Sequence, residues 1–187
     1  MSQDLKPSEL GEFDIQGASA ADTTPSLIIL SELEGFRAFA TELASQSRKQ
    51  LRIYSQQLNP LIFAEEAFVS ACSACARNNP RAKIEILVSL PQALIEQPHP
   101  LVRLQQRLSD KIKLRALPRD FDPENIHKLE REYLLGDDDK ILLQHDSAQL
   151  DGFVNFDDRP NNRDFQKKFD YLWGHGEAIG PLQRLGI

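Results

Sequence analysis

The sequence predicts an α/β domain in which a mixed β-sheet carries helices on both faces. Three observations predict it. Between residues 32 and 117, helical hydrophobic periods alternate with short apolar runs. Two further apolar runs flank Gly136-Asp137-Asp138-Asp139-Lys140, which has the composition of a hairpin turn. A last strand and helix then close the pattern. Alternation gives parallel neighbours joined by crossover helices, and a hairpin gives antiparallel ones, so the sheet is mixed.

In chain order, Leu33, Phe36, Phe39, Ala40, Leu43 and Ala44 recur at helical spacing, predicting a helix over 32–48. Residues 51–55 form a short strand. Pro60 is suited to a helix start, and 62–77 reads as a largely buried helix ended by Asn78-Asn79-Pro80. Residues 82–88 alternate before turning fully apolar and make the next strand. A helix over 98–108 and a strand over 112–117 follow, then the hairpin strands 132–135 and 141–144, a strand over 150–155 and a helix over 165–173. Phe169, Tyr171 and Trp173 are expected on the packed face of that helix. No internal repeat is present.

A chain of 187 residues suits one domain plus a tail. At that size roughly 70% of the unfolded chain's surface can be buried, so no staples are needed. Residues 1–27 hold five acidic residues and one lysine, a net −4 out of the whole chain's −6, which leaves −2 for 28–187. They show no sustained period, so the expected division is a flexible acidic tail, 1–27, and a folded domain, 28–187. A net negative charge disfavours a sequence-blind nucleic-acid binder, and nucleic acid is not expected as a partner. No run approaches the roughly 18–20 apolar residues of a membrane span, so no membrane insertion is expected. The opening Met1-Ser2-Gln3-Asp4-Leu5-Lys6 lacks the basic and apolar parts of a secretory leader. The expected location is the cytoplasm.

Cys72 and Cys75 are the only cysteines. A CxxC pair can be redox-active or half of a zinc site, but no second Cys or His pair has suitable spacing. Small core thiols are the simpler reading. The acidic turn Asp137-Asp138-Asp139 offers oxygen ligands to a divalent cation, yet no further ligands follow at calcium-loop spacing. No metal and no cofactor are expected.

The most specific run is Gly152-Phe153-Val154-Asn155-Phe156-Asp157-Asp158-Arg159. It resembles the G-S-x-N-x-D-x-R stretch of the phospholipase D superfamily, especially its bacterial cardiolipin-synthase-like members. The order of the elements upstream is similar as well, and residues 30–180 look like a single half of a phospholipase-D-like structure. In that family the small Gly-Ser pair lets the backbone approach the substrate phosphate, and the asparagine hydrogen-bonds within the site.

The resemblance implies a second motif upstream, H-x-K-x-x-x-x-D, whose histidine attacks phosphorus. Its lysine stands two residues on because alternate strand residues share a face. None of the four histidines has a lysine at that spacing: Leu101, Leu129, Ser147 and Glu177 follow His99, His127, His145 and His175. His127 has Lys128 beside it, but consecutive strand residues face opposite ways. Placing Asp137 at the motif's aspartate puts Glu130 and Glu132 in the places of histidine and lysine. Asp138 gives Arg131 and Tyr133 instead, and Asp139 gives Glu132 and Leu134. In the first register each carboxylate would repel a unit of phosphate charge by roughly 3 kcal/mol at about 5 Å and an effective dielectric of about 20. Phe153, in place of the small serine, works in the same direction.

The expected molecule is therefore a non-catalytic phospholipase-D-like domain acting in binding or regulation. Its degenerate cleft would be lined by Glu130, Glu132, Asp137, Phe153, Asn155, Asp157 and Arg159, with Asn155, Asp157 and Arg159 fixing the loop after the strand. The rival reading is a divergent phosphodiesterase or nuclease using His127, Lys128 and Asn155, and another is a nucleic-acid-binding accessory protein. The resemblance implies homodimer pairing, and a twofold arrangement is also the commonest oligomer. The acidic tail could engage an unidentified protein partner.

Overall fold

The computed structural model describes residues 27–122 and 131–183. His127, Lys128 and Glu130 lie outside the described residues, as does the predicted tail apart from Leu27. Among the described residues, seven strands and seven helices follow one another as β1 (Ile28–Leu30), α1 (Leu33–Gln46), β2 (Gln50–Ser55), α2 (Pro60–Phe63), α3 (Glu66–Asn78), β3 (Lys83–Val88), α4 (Gln92–Glu96), α5 (Pro100–Arg107), β4 (Ile112–Ala116), β5 (Glu132–Gly136), β6 (Lys140–Asp146), β7 (Gln149–Asn155), α6 (Arg159–His175) and α7 (Gly180–Gln183). They build one sheet in the order β1-β7-β6-β5-β2-β3-β4. β2, β3 and β4 run parallel, and every other neighbouring pair is antiparallel. The mixed sheet and its helices match the predicted architecture.

The local departures have local causes. Three-residue β1 is too short to show a period and exists by pairing with β7. The helix predicted over 62–77 is interrupted after Phe63, and α3 starts at Glu66. The last helix begins at Arg159, six positions before 165, because Asp158 accepts a hydrogen bond from the Asn161 N–H and Pro160 occupies its first turn. That first turn is polar, so hydrophobic period could not reveal it. Short α4 and α7 escaped the same signal.

Alternation divides the sheet's side chains between two cores. Leu51, Ile53, Ile84, Ile86, Leu134, Leu142 and Val154 pack under α1 and α3 with Phe36, Leu43, Phe68 and Cys72. Tyr54, Leu87, Tyr133, Leu135, Ile141 and Leu143 pack under Phe165, Phe169 and Leu172 of α6. Tyr171, expected on that packed face, is exposed instead, because two residues along a helix from Phe169 turn it away from the sheet. Each such side chain contributes roughly 1.5–3 kcal/mol by leaving water. Both cysteines are buried free thiols, and desolvation raises the pKa of each, that of Cys75 to about 11. α6 is locked down through Arg52 of β2, whose guanidinium meets Glu85 at 2.8 Å, Asp170 at 2.7 Å and Gln166 at 2.5 Å. It also lies 4.9 Å from the centre of the Phe169 ring. Among the described residues, no helix is long and apolar enough to cross a membrane.

Candidate functional site

The register of the antiparallel strands decides which expected site residues meet. β5 runs against β2, so Glu132 stands at the carboxyl ends of the parallel strands and Asp137 at their amino ends. Five residues at about 3.4 Å each separate the two by about 17 Å. β7 is antiparallel to β6, so Gly152 is level with Gln144 and Glu132, whereas Asn155 is level with Ile141 and Leu135. The single cleft expected from the sequence is thus divided. Glu132 belongs to one end of the sheet; Asp137, Asn155, Asp157 and Arg159 belong to the other.

At the carboxyl end, polar groups are buried in an otherwise apolar layer. Glu132 is 5% exposed, and its Oε1 accepts from the Gln56 N–H at 2.9 Å. The Ser55 hydroxyl donates to the same carboxylate, while Ser55 Oγ accepts from the Leu58 N–H at 2.8 Å. Burial raises the Glu132 pKa above the ordinary carboxyl value, and these donors oppose the rise. Leu58 adopts a left-handed backbone conformation, φ 57°, which holds its N–H on Ser55. Its carbonyl interacts with His99, whose pKa burial lowers to about 4. His99 Nδ1 accepts from the Leu101 N–H at 3.2 Å and caps α5. Gln144, opposite Glu132, donates to the carbonyls of Asp146 at 3.0 Å and Gln149 at 2.8 Å.

Sequence reasoning found Glu132 but missed Ser55, Gln144 and a structural use for His99. The available signal was a polar residue at a core-facing position of an apolar strand: Ser55 after Ile53, and Gln144 after Leu142. The Ser55 hydroxyl is turned onto Glu132 inside the core, where it meets no substrate. Ser55 is 0% exposed.

At the amino end, Asp137 is a clamp. Its carboxylate accepts from the backbone N–H groups of Arg48 (3.1 Å), Lys49 (2.7 Å) and Gln50 (3.1 Å). Its own N–H donates to the Gln50 carbonyl at 2.9 Å. With φ 48° it is left-handed, a conformation that aspartate tolerates better than most side chains. Lys140 lies 2.7 Å from Asp139 and 3.8 Å from Asp137. Asn155 Oδ1 accepts from the Asp157 N–H at 3.0 Å, and Asp158 caps α6. Asn155 therefore ties down the loop after β7. Asp157 and Arg159 are exposed.

Gly152 has a demand of its own. A Cβ at this position would collide with the Leu143 carbonyl of β6 and stand 3.0 Å from the Gln144 Cα. The close approach that requires glycine is to the neighbouring strand. Phe153 pairs across β7 with Leu143 and Ile29, and its ring lies 5.9 Å from that of His145.

A family model described as a domain of unknown function, DUF7931, matches residues 32–185. No curated protein matches the sequence. Among solved structures, the chain is similar to Nuc from Salmonella typhimurium, a phospholipase D family member, with TM-score 0.59 and 12% identity over 83% of this chain and 99% of that one. It is also similar to NucT from Helicobacter pylori, with TM-score 0.55 and 15% identity over 83% and 99%. TrmBL2, an archaeal chromatin protein with a novel mode of DNA binding, gives TM-score 0.57 and 15% identity, over 82% of this chain and 55% of its own. The chain thus spans about half the length of that neighbour. These likenesses show a phospholipase-D-like fold.

Proposed function

The chain belongs to the DUF7931 family, a domain of unknown function, and from that premise we propose a phospholipase-D-like domain without phosphodiester chemistry, retained for binding or regulation. The observation that carries this reading is the Glu132 carboxyl. Reading Asp137 as the motif's aspartate gives Glu132 the lysine's position in the sequence. Its side chain is buried and occupied by the Gln56 N–H and the Ser55 hydroxyl. A phosphate held there needs a cation, and a carboxyl supplies none whether protonated or charged. Lys140 belongs to the other end of the sheet and is already paired with Asp139 and Asp137. Ser55, beside Glu132, has no surface to offer a ligand.

The test is hydrolysis of bis(p-nitrophenyl) phosphate by the full chain and by His127→Ala. Neither protein is expected to exceed the buffer rate. Turnover by the parent that disappears in His127→Ala overturns the reading and establishes the phosphodiesterase. The resemblance also supports a twofold homodimer in a bacterial cytoplasm. Light scattering after size exclusion, at tens of micromolar, is expected to give the mass of two chains, and a monomer mass removes the dimer.

A further inference from the structure

The formal charge of −6 averages over a polarised surface. At the amino ends of β2, β3 and β4, three connecting loops are tied together by their backbones. The Lys83 N–H donates to the Lys49 carbonyl at 3.0 Å, the Ile84 N–H to the Lys111 carbonyl at 2.9 Å, and Asn79 Nδ2 to the Arg48 carbonyl at 2.7 Å. The Lys111 ammonium reaches the Pro80 carbonyl. From this junction Arg48, Lys49, Arg77, Arg81 and Lys83 project exposed, with Lys111 half-buried among them. Among the described residues, no ion pair neutralises any of these cations.

A structural purpose accounts for only part of this charge. α1, α3 and α5 all end here, and each helix carboxyl terminus carries about half a negative charge. Asp110 adds one carboxylate next to Lys111, and Asp137, Asp138 and Asp139 with Lys140 add two net negative charges beside the junction. An excess of about one to two positive charges remains. Of the other charges at this end, exposed Asp157 is offset by Arg159, and Asp158 is engaged on the first turn of α6.

The shape selects among polyanions. Neighbouring strands lie about 4.8 Å apart, so the three loops display cations at roughly that pitch along roughly 10 Å. A nucleic-acid strand presents a phosphate about every 3.4 Å of its axis, a comparable spacing. The Asp137 clamp holds residues 48–50 rigid, so little ordering is lost on contact. The exposed large hydrophobics of the described residues are elsewhere: Leu61, Leu90 and Ile95 follow the carboxyl ends of β2 and β3, Leu27 and Ile29 are at the far edge of the sheet, Leu150 is on β7 and Tyr171 on α6. Among the described residues, the basic face thus lacks the aromatic anchors of a protein interface, the apolar residues that enter a lipid surface, and the rings on which bases stack. We propose that this face binds the phosphate backbone of nucleic acid without reading its sequence. The proposal does not depend on whether the Glu132 end is inactive.

Fluorescence anisotropy of a labelled mixed-sequence DNA duplex, titrated with the full chain, tests it. Binding at about 50 mM salt is expected to weaken several-fold to tenfold on doubling the salt, as for about three to four phosphate contacts. Arg48→Glu/Lys83→Glu is expected to raise Kd at least tenfold, and the gentler Arg81→Gln/Lys83→Gln several-fold. Arg163→Glu/Lys167→Glu on α6 changes net charge equally and is expected to leave Kd within twofold. Matching circular dichroism spectra and melting temperatures establish that all variants are folded. No salt-sensitive binding by the parent overturns the proposal, as does an equal loss in the α6 control. Capture by phosphatidylserine vesicles, or salt-sensitive self-association, with no DNA binding also overturns it, assigning the face to a membrane or to a second copy.

Discussion

The two ends of the sheet handle polar groups in opposite ways. At the carboxyl ends of β2–β4, Ser55, Glu132, Gln144 and His99 are all 5% exposed or less, and their environment favours the neutral forms of the acid and the base. At the amino ends, charges stand in water or in ion pairs, and one carboxylate, Asp137, organises a loop through its backbone. Burial makes charge expensive at the first end, so the groups there are held by one another. Solvent keeps charge cheap at the second, where it remains available to outside ligands. Among the described residues, the carboxyl end is thus the closed one.

The carboxyl end breaks most easily through its backbone. Gly152→Ala should lower stability by about 3 kcal/mol, because the new methyl meets the Leu143 carbonyl and a backbone cannot yield as a side chain can. A fall in the urea midpoint checks this; an unchanged midpoint removes the close-approach argument. Asp137→Ala breaks the amino end, leaving three N–H groups without their charged acceptor, and should cost about 2 kcal/mol. Asp137→Asn should recover part of that loss in the same urea titration.

Acidity sharpens the contrast with smaller effects. The folded pKa of His99 is lowered from 6.5 to about 4, so the unfolded chain takes the proton first and stability falls as pH drops from about 6.5 towards 4. His99→Asn keeps a capping acceptor without that titration and should flatten this part of the profile. Glu132 has the opposite sign. Its pKa is raised above 4.5, so its contribution is whole below that value and is lost as pH rises through the folded pKa. Glu132→Gln should therefore gain on the parent as pH increases. Melting curves across pH 4–8 separate the two variants; parallel profiles would show that neither group titrates in a buried setting.

Much of the fold was legible because β2 and β3 begin with alternating burial, the hairpin strands are continuous apolar runs buried on both faces, and α1 buries one stripe. β1 and the first turn of α6 were not, since pairing with β7 and the Asp158 cap create them and neither leaves a hydrophobic period. The site was legible residue by residue but not as an assembly. Glu132 and Asp137 were both identified, yet their separation depends on β5 being extended between them. Gly152 and Asn155 sit in one short run but reach different levels of the sheet, so a linear match could not place them together. Average charge concealed the basic face for a similar reason: sequence order says little about which loops meet.

Arg52 gives α6 a mechanical meaning. This helix covers the aromatic side of the sheet, and one guanidinium joins its Gln166, Phe169 and Asp170 to β2 and β3. Lifting it would uncover Tyr54, Tyr133, Leu135 and Leu143 as a continuous sticky sheet surface. The latch that fastens one helix is therefore also the molecule's protection against clumping during brief local openings.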